Sequence, residues 1–218
     1  MDDLYDLSQL TGVSGSFVDQ LTSDLQEGLC VVSGTRPAVT ICGSARVVTG
    51  DKIYTAAEAL SRAFASRGFT VITGGGPGVM EAANKGAFEA GGTSIGVNIW
   101  LPQEQRTNSY TGASLRVRYL FVRKLLLFLN MSALICLPGG YGTLDELFEV
   151  LNLMQVRQIR QIPVVLFGSW FWQGLVEWIE GDQQKAGLID ATLVHVSDDV
   201  SETVTRVEEY LRLHEASS

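Results

Sequence analysis

The sequence predicts a three-layer, doubly wound α/β domain built on a mostly parallel sheet. Three observations carry that expectation. Short, nearly continuous apolar runs alternate with segments of helical periodicity, which is the pattern of β–α–β units. Two glycine-rich turns, 74–78 and 138–142, each leave an apolar run and enter a helical one, as loops at the carboxyl ends of parallel strands do. The 218 residues are 46% hydrophobic and 18% charged, a globular composition in a chain long enough to bury a full core.

The elements run in order along the chain. Residues 1–36 are polar, and Phe17, Leu21 and Leu25 recur at helical spacing before the turn Ser33-Gly34-Thr35-Arg36-Pro37. They read as an N-terminal helical extension, set apart from the main domain over 37–218. Residues 38–45 form the first strand and end on Gly43-Ser44. Ala56, Leu60, Ala63 and Phe64 mark a helix over 53–67, with Gly68 as its stop. A strand over 69–73 leads into GGGPG, and a helix follows over 78–90 with Pro77 near its first turn. A third strand spans 93–99, and 100–116 is irregular. Then come a helix (117–130), a strand (133–137), PGGYG and a helix (143–157). A strand over 163–167, an aromatic-rich helix over 170–179, a strand over 193–197 and a helix over 199–214 complete the pattern.

The chain carries 24 acidic and 16 basic residues, a formal net charge of −8. That balance argues against a nucleic-acid partner, which needs a basic footprint. A small anion site stays compatible with it, because backbone N–H groups and one or two cations suffice. Cys30, Cys42 and Cys136 are widely spaced and make no CxxC, so all three are expected to be reduced and the protein cytoplasmic. The acidic start MDDLYDLSQL is unlike a signal peptide. Leu125 to Leu144 has no charge, but Pro138, Gly139, Gly140 and Gly142 interrupt it. It reads as a helix end, a buried strand and a loop, with no membrane partner.

The two loops carry the chemistry. Gly74, Gly75, Gly76 and Gly78 in one, and Gly139, Gly140 and Gly142 in the other, permit tight turns and close approach of a ligand. Amides at the following helix starts, favoured by the helix dipole, then suit an anion, with phosphate the natural candidate. Plain βα turns are the alternative. Neither loop fits GxxxxGK[ST] or a dinucleotide GxGxxG. Gly43 and Ser44 form a third turn that offers a hydroxyl. There is no His/Cys/carboxylate cluster at metal-ligand spacing, so neither metal nor other cofactor is expected.

GGGPGVME (74–81), Arg123-Lys124 and PGGYGTLDE (138–146) together resemble the lonely-guy (LOG) family, also called possible lysine decarboxylases. The similarity runs from about Ala38 to about Ile179. GVNIWLPQEQRTN (96–108) looks like the version carried by the larger bacterial members. The resemblance implies a Rossmann-like, homodimeric phosphoribohydrolase that cleaves AMP-like nucleoside 5′-monophosphates to a free base and ribose 5-phosphate. It implies that Arg123 and Glu146 are the catalytic pair and that the glycines and Thr143 hold the phosphate. Lys124 and Glu104 would contact substrate, and Glu81, Tyr141 and Asn152 are further candidate contacts. Plant-type members carry Gly in place of Glu81 and Met in place of Leu120, and the short members have no counterpart of residues 1–36.

The residues suit that chemistry. Breaking an N-glycosidic bond builds positive charge on the ribose. Glu146 can oppose that charge and position water, and Arg123 is always cationic. Each has a plainer reading. Thr143-Leu144-Asp145-Glu146 fits a T-x-x-E capping box. Arg123 and Lys124 fit a solvated pair early in a helix, where the dipole does not favour cations. Asp145, Glu149 and Asn152 share one helix face at i, i+4, i+7 spacing, and Asn152 could reach a base edge. Trp170, Phe171, Trp172 and Trp178 fit packing better than base stacking. The rival function is a nucleotide or cofactor carrier, which needs the glycines but not the Arg–Glu pair.

Overall fold

The computed structural model describes residues 15–100, 107–189 and 193–215. Helix α1 (Gly15–Val32) precedes strand β1 (Ala38–Cys42), helix α2 (Lys52–Ala65) and strand β2 (Thr70–Thr73). Helix α3 (Val79–Glu89), strands β3 (Ser94–Ile99) and β4 (Ala113–Val117), and helix α4 (Leu120–Phe128) follow. Strand β5 (Met131–Cys136), helix α5 (Tyr141–Gln155) and strand β6 (Val164–Phe167) come next. Helix α6 (Ser169–Trp178) runs into a π turn (Ile179–Gln183), and β7 (His195–Ser197) and α7 (Val200–Glu215) are the last described elements.

All strand pairs are parallel, in the order β4-β3-β2-β1-β5-β6-β7. The chain builds outward from β1 to β4, then crosses back to lay β5 on the other side of β1. The order therefore reverses between β1 and β5, and a doubly wound sheet opens a crevice at such a point. Ala38 to Cys42 pair with Met131 to Cys136, so the loops after the two strands emerge side by side.

Alternate strand residues feed two layers. Val39, Ile41, Ala133, Ile135 and Val165 pack under α2, α3 and α7. Cys42, Leu134, Cys136 and Leu166 pack under α5 and Trp172 of α6, and Ile72, Ile95 and Val97 pack under α1 and α4. Both faces of β1, β2, β3, β5 and β6 are thus covered, which accounts for their continuous apolar runs.

Strand β4 corrects the expectation of an irregular 100–116. It is an edge strand whose Ala113, Ser114 and Arg116 are exposed. A half-solvated strand lacks the apolar run that betrays a buried one. The other boundaries fall within three residues of the expected ones. Asp51 caps α2 by accepting from the Ile53 amide at 2.8 Å, and Gly68 turns the chain out at φ 82°. Among the aromatics of α6 only Trp172 is buried; Trp170, Phe171 and Trp178 are exposed. No helix among the described residues is long and apolar enough to cross a membrane.

Candidate active site

The crevice at the reversal is a cavity of about 640 Å³. Its walls come from the loops after β1, β2 and β5 and from one side of α4. Backbone bonds tie the loops together. Ser44 N–H donates to Pro138 O at 3.1 Å, and Val79 N–H donates to Ser44 O at 3.0 Å. Gly78 packs against that junction, where a Cβ would stand 2.4 Å from Ser44 O.

A buried polar network holds the first glycine loop. The Thr73 hydroxyl accepts from Gly75 N–H at 2.9 Å and donates to Asn84 Oδ1 at 2.6 Å. Asn84 Nδ2 donates to Ser94 Oγ at 2.8 Å. Asn108 Nδ2 donates to Asn84 Oδ1 at 2.9 Å and to Gly76 O at 3.1 Å, and Asn108 N–H donates to Gly75 O at 3.0 Å. Thr73, Asn84 and Asn108 are all buried, so the loop is fixed by groups that have no water to turn to.

The second loop opens α5 directly. Helix α5 begins at Tyr141 with Gly140 as its N-cap and no side-chain cap. Thr143 therefore lies inside the first turn, and the T-x-x-E capping box that was the plainer reading of Glu146 does not form. Gly140, Tyr141, Gly142 and Thr143 line the cavity instead. The uncapped amides of this helix start suit an anion. The Thr143 side chain lies over Gly139, where a Cβ would stand 2.1 Å from Oγ1.

Arg123 and Glu146 meet in the cavity, with Arg123 Nη1 3.8 Å from Glu146 Oε1. Both side chains are largely buried. Arg123 Nε donates to Val97 O at 2.9 Å, and Nη2 lies 3.8 Å from Met80 Sδ. Burial pushes the Glu146 carboxyl above its usual range, against the opposing pull of Arg123 and the Cys42 thiol. Cys42 lines the cavity, and its sulfur lies 3.2 Å from that of the buried Cys136; both are free thiols. Its hydrogen bond to Cys136, then burial, pushes the Cys42 thiol well up, so it stays protonated.

Of the residues predicted from sequence, the cavity collects Gly43, Ser44, Gly74, Arg123, Gly140, Tyr141, Gly142, Thr143 and Glu146. Gly75, Gly76, Gly78 and Gly139 shape the loops behind it. Lys124 is not among the lining residues. It pairs with Asp145 at 3.1 Å and Glu149 at 2.5 Å. Burial works against its charge, but those two carboxylates outweigh it and raise its pKa. Glu81 instead accepts from Tyr54 Oη at 3.1 Å. Asn152 lines a separate apolar hollow with Phe148 and Leu151, away from the cavity. Glu104 lies outside the described residues.

Sequence reasoning missed Arg46, Met80, Ile99, Leu120 and Leu127, which also line the cavity. The ionisable lining side chains Arg46, Arg123 and Glu146 sum to +1 in a chain of −8. Among the described residues no lysine lines the cavity, so its residues do not fit a cofactor held as a lysine Schiff base.

A family profile described as "possible lysine decarboxylase" matches residues 80–209. The chain belongs to this family, the LOG family. The LOG-family protein is 32% identical over 183 residues to cytokinin riboside 5′-monophosphate phosphoribohydrolase LOG1 of Arabidopsis thaliana, spanning 80% of this chain and 83% of that relative. Among solved structures it resembles the structural-genomics target TM1055 with a TM-score of 0.61 and 27% identity, over 79% of this chain and 98% of that one. It also resembles the molybdenum cofactor carrier protein of Chlamydomonas reinhardtii, with a TM-score of 0.58 and 28% identity over 81% and 98% of the two chains.

Proposed function

We propose that this LOG-family protein hydrolyses the N-glycosidic bond of a purine nucleoside 5′-monophosphate. The base is adenine or an N6-modified adenine, and the products are the free base and ribose 5-phosphate. The observation that carries the reading is the Arg123–Glu146 pair, held 3.8 Å apart in a cavity walled by the uncapped start of α5.

The 5′-phosphate binds the Gly140–Thr143 amides, with Ser44 and Arg46 on the neighbouring loop after β1. This binding, remote from the reacting carbon, orients the ribose. Water oxygen bonds to C1′ as the C1′–N bond breaks. The bond's electron pair leaves with the base, Glu146 receives the proton of the attacking water, and that proton passes through solvent to the departing base, which returns Glu146 to the carboxylate. The Glu146 carboxylate also opposes the positive charge that grows on the ribose ring. Arg123 keeps that carboxylate ionisable in a buried place and offers donors to the developing negative charge.

We further propose a homodimer. Phe121, Leu125 and Leu129 leave an exposed apolar stripe along α4, with Phe148 of α5 also exposed, and such stripes mark association surfaces. Light scattering at micromolar concentration should give twice the chain mass.

The test of activity is AMP incubated with the protein, with adenine and ribose 5-phosphate followed by chromatography beside Glu146→Ala. Cleavage by the parent and its loss in the variant, by about 100-fold or more, is the expected result. A solved relative is a cofactor carrier, which gives the rival outcome a form. Tight binding of AMP without cleavage, with other nucleoside monophosphates equally inert, assigns this chain to carriers.

A further inference from the structure

We propose that Asp24 of α1 is a positioning residue that sets the start of α4 and, through it, the place of the Arg123 guanidinium. The effect on catalysis rests on the proposed hydrolase activity; the effect on α4 does not.

Asp24 is 4% exposed, so its carboxylate needs strong partners. It finds both on one residue. Oδ2 accepts from the Arg118 backbone N–H at 2.6 Å, and Oδ1 accepts from the Arg118 guanidinium. The carbonyl of the same peptide, Val117 O, accepts from Trp100 N–H at 2.9 Å. The Val117–Arg118 peptide is therefore gripped on both sides. One grip comes from the chain just after β3, and the other from α1 beyond the open edge left by β4. Asp24 takes the N–H that a further strand would have taken.

Helix α4 begins two residues beyond that peptide. Tyr119 is its N-cap, makes no side-chain cap, and offers its carbonyl to Arg123 N–H at 3.1 Å. A helix of nine residues has little stability of its own, so its placement comes from tertiary contacts. Helix α1 supplies them along its length. Phe17 meets Tyr119 edge to face at 5.1 Å. Gly28 admits Leu126 so closely that a Cβ would stand 2.2 Å from its Cδ1. Beyond the far end of α4, Asn130 Nδ2 donates to Val32 O and to Thr35 Oγ1. Arg123 sits in the first turn, next to the Asp24 grip. Its 3.8 Å separation from Glu146 is set by where that turn lies.

Asp24→Ala is expected to lower kcat for nucleoside monophosphate cleavage by about tenfold with KM within about threefold, since small misplacements of a catalytic group act on kcat. Asp24→Asn keeps an oxygen for the Arg118 N–H and should recover most of the rate. Arg118→Ala keeps the backbone bond and should lose less than Asp24→Ala. Asp19→Ala, an exposed acid on the same helix, should change nothing. Amide exchange over 120–128, read by mass spectrometry on the same proteins, should quicken in Asp24→Ala and not in Asp19→Ala. If the parent cleaves no nucleotide, the hydrolase reading falls and the exchange result alone decides whether Asp24 positions α4. Unchanged exchange over α4 overturns the proposal. So does an Asn variant no better than Ala, with both losing thermal stability at constant kcat per folded molecule. If Asp24→Ala does not fold, Asp24→Asn and Arg118→Ala decide by the same readings.

Discussion

A single methyl group at Gly74 separates the stability of this site from its activity. A Cβ there would lie 1.7 Å from Arg123 Nη2 and 2.7 Å from Met80 Sδ. Ordinary contact begins near 3.5 Å, so the guanidinium must withdraw by about 1.8 Å. It cannot withdraw freely, because Nε is held by Val97 O at 2.9 Å. The move either breaks that bond or re-aims the fork relative to Glu146. A misplacement of about 1 Å costs roughly 100-fold in rate, so Gly74→Ala should lower kcat/KM by about that factor, close to 2.7 kcal/mol of transition-state stabilisation. The fold should barely notice. Gly74 is not among the glycines with positive φ, and the displaced atoms are the ends of flexible side chains. Removing a glycine also restricts the unfolded chain, which is worth about 0.4–1 kcal/mol in favour of folding. Urea denaturation should therefore place the variant within about 1 kcal/mol of the parent. Gly75→Ala is the contrast: φ is +69° and the Cβ would stand 2.4 Å from Asn98 Nδ2, so stability should fall by more than about 1 kcal/mol. Parent-like cleavage by Gly74→Ala, within threefold, would refute the idea that the seat of Arg123 governs the rate. A loss of stability equal to that of Gly75→Ala would refute the structural half.

Burial raises the Glu146 pKa, so kcat/KM should fall on the acid side with an apparent pKa above the ordinary carboxylate range, and Arg123→Ala should move that limb higher by removing a lowering charge. Because the folded state then binds this proton more tightly than the unfolded chain, stability declines as pH rises from the unfolded toward the raised folded pKa. Glu146→Gln should accordingly melt higher than the parent at neutral pH, with the gap closing as pH falls through that window. Arg46→Ala removes a cation from the phosphate wall and should raise KM for nucleoside monophosphates by about tenfold while changing kcat little, as loss of uniform binding does. Asn84→Ala leaves the Thr73 hydroxyl, Ser94 and Asn108 Nδ2 short of partners and should cost about 3 kcal/mol by urea titration, at about 1–3 kcal/mol per buried orphan.

How much of this fold and site was legible in the sequence depended on whether the signal was local. Buried strands announce themselves because both faces are apolar, and the edge strand β4 was lost because half of it meets water. The glycine loops were legible as loops, and the parallel pattern put them at strand ends. The contents of the crevice between them were not, because the loops after β1 and β5 come together only through the return of β5 to β1, which makes register partners of Cys42 and Cys136, 94 residues apart. Arg46 and Met80 enter the cavity by the same long-range route. Lys124 was set beside Arg123 as a substrate contact by the family motif; neighbouring helical positions point about 100° apart, and in the structure Arg123 meets Glu146 while Lys124 pairs with Asp145 and Glu149. Asn84 did leave a local trace. It stands four residues after Met80 and three before Ala87, on the buried stripe of α3, and a polar residue there needs a partner.

The balance between hydrolase and carrier turns on Glu146. A cavity that only holds a phosphate gains from amides and cations and loses from a carboxylate beside them. Packing does not ask for this one either, because its burial is unfavourable enough to raise its pKa, and a buried pair at 3.8 Å contributes little net stability. Gly74 meanwhile leaves open the space that Arg123 occupies. If the cavity holds a phosphate as proposed, its acceptance of a destabilising acid, with a glycine kept so that a cation can stand next to it, is a composition that binding alone does not explain. The proposed cleavage does explain it: at a carbon that becomes positively charged, a carboxylate that would repel a phosphate is the group that the transition state attracts.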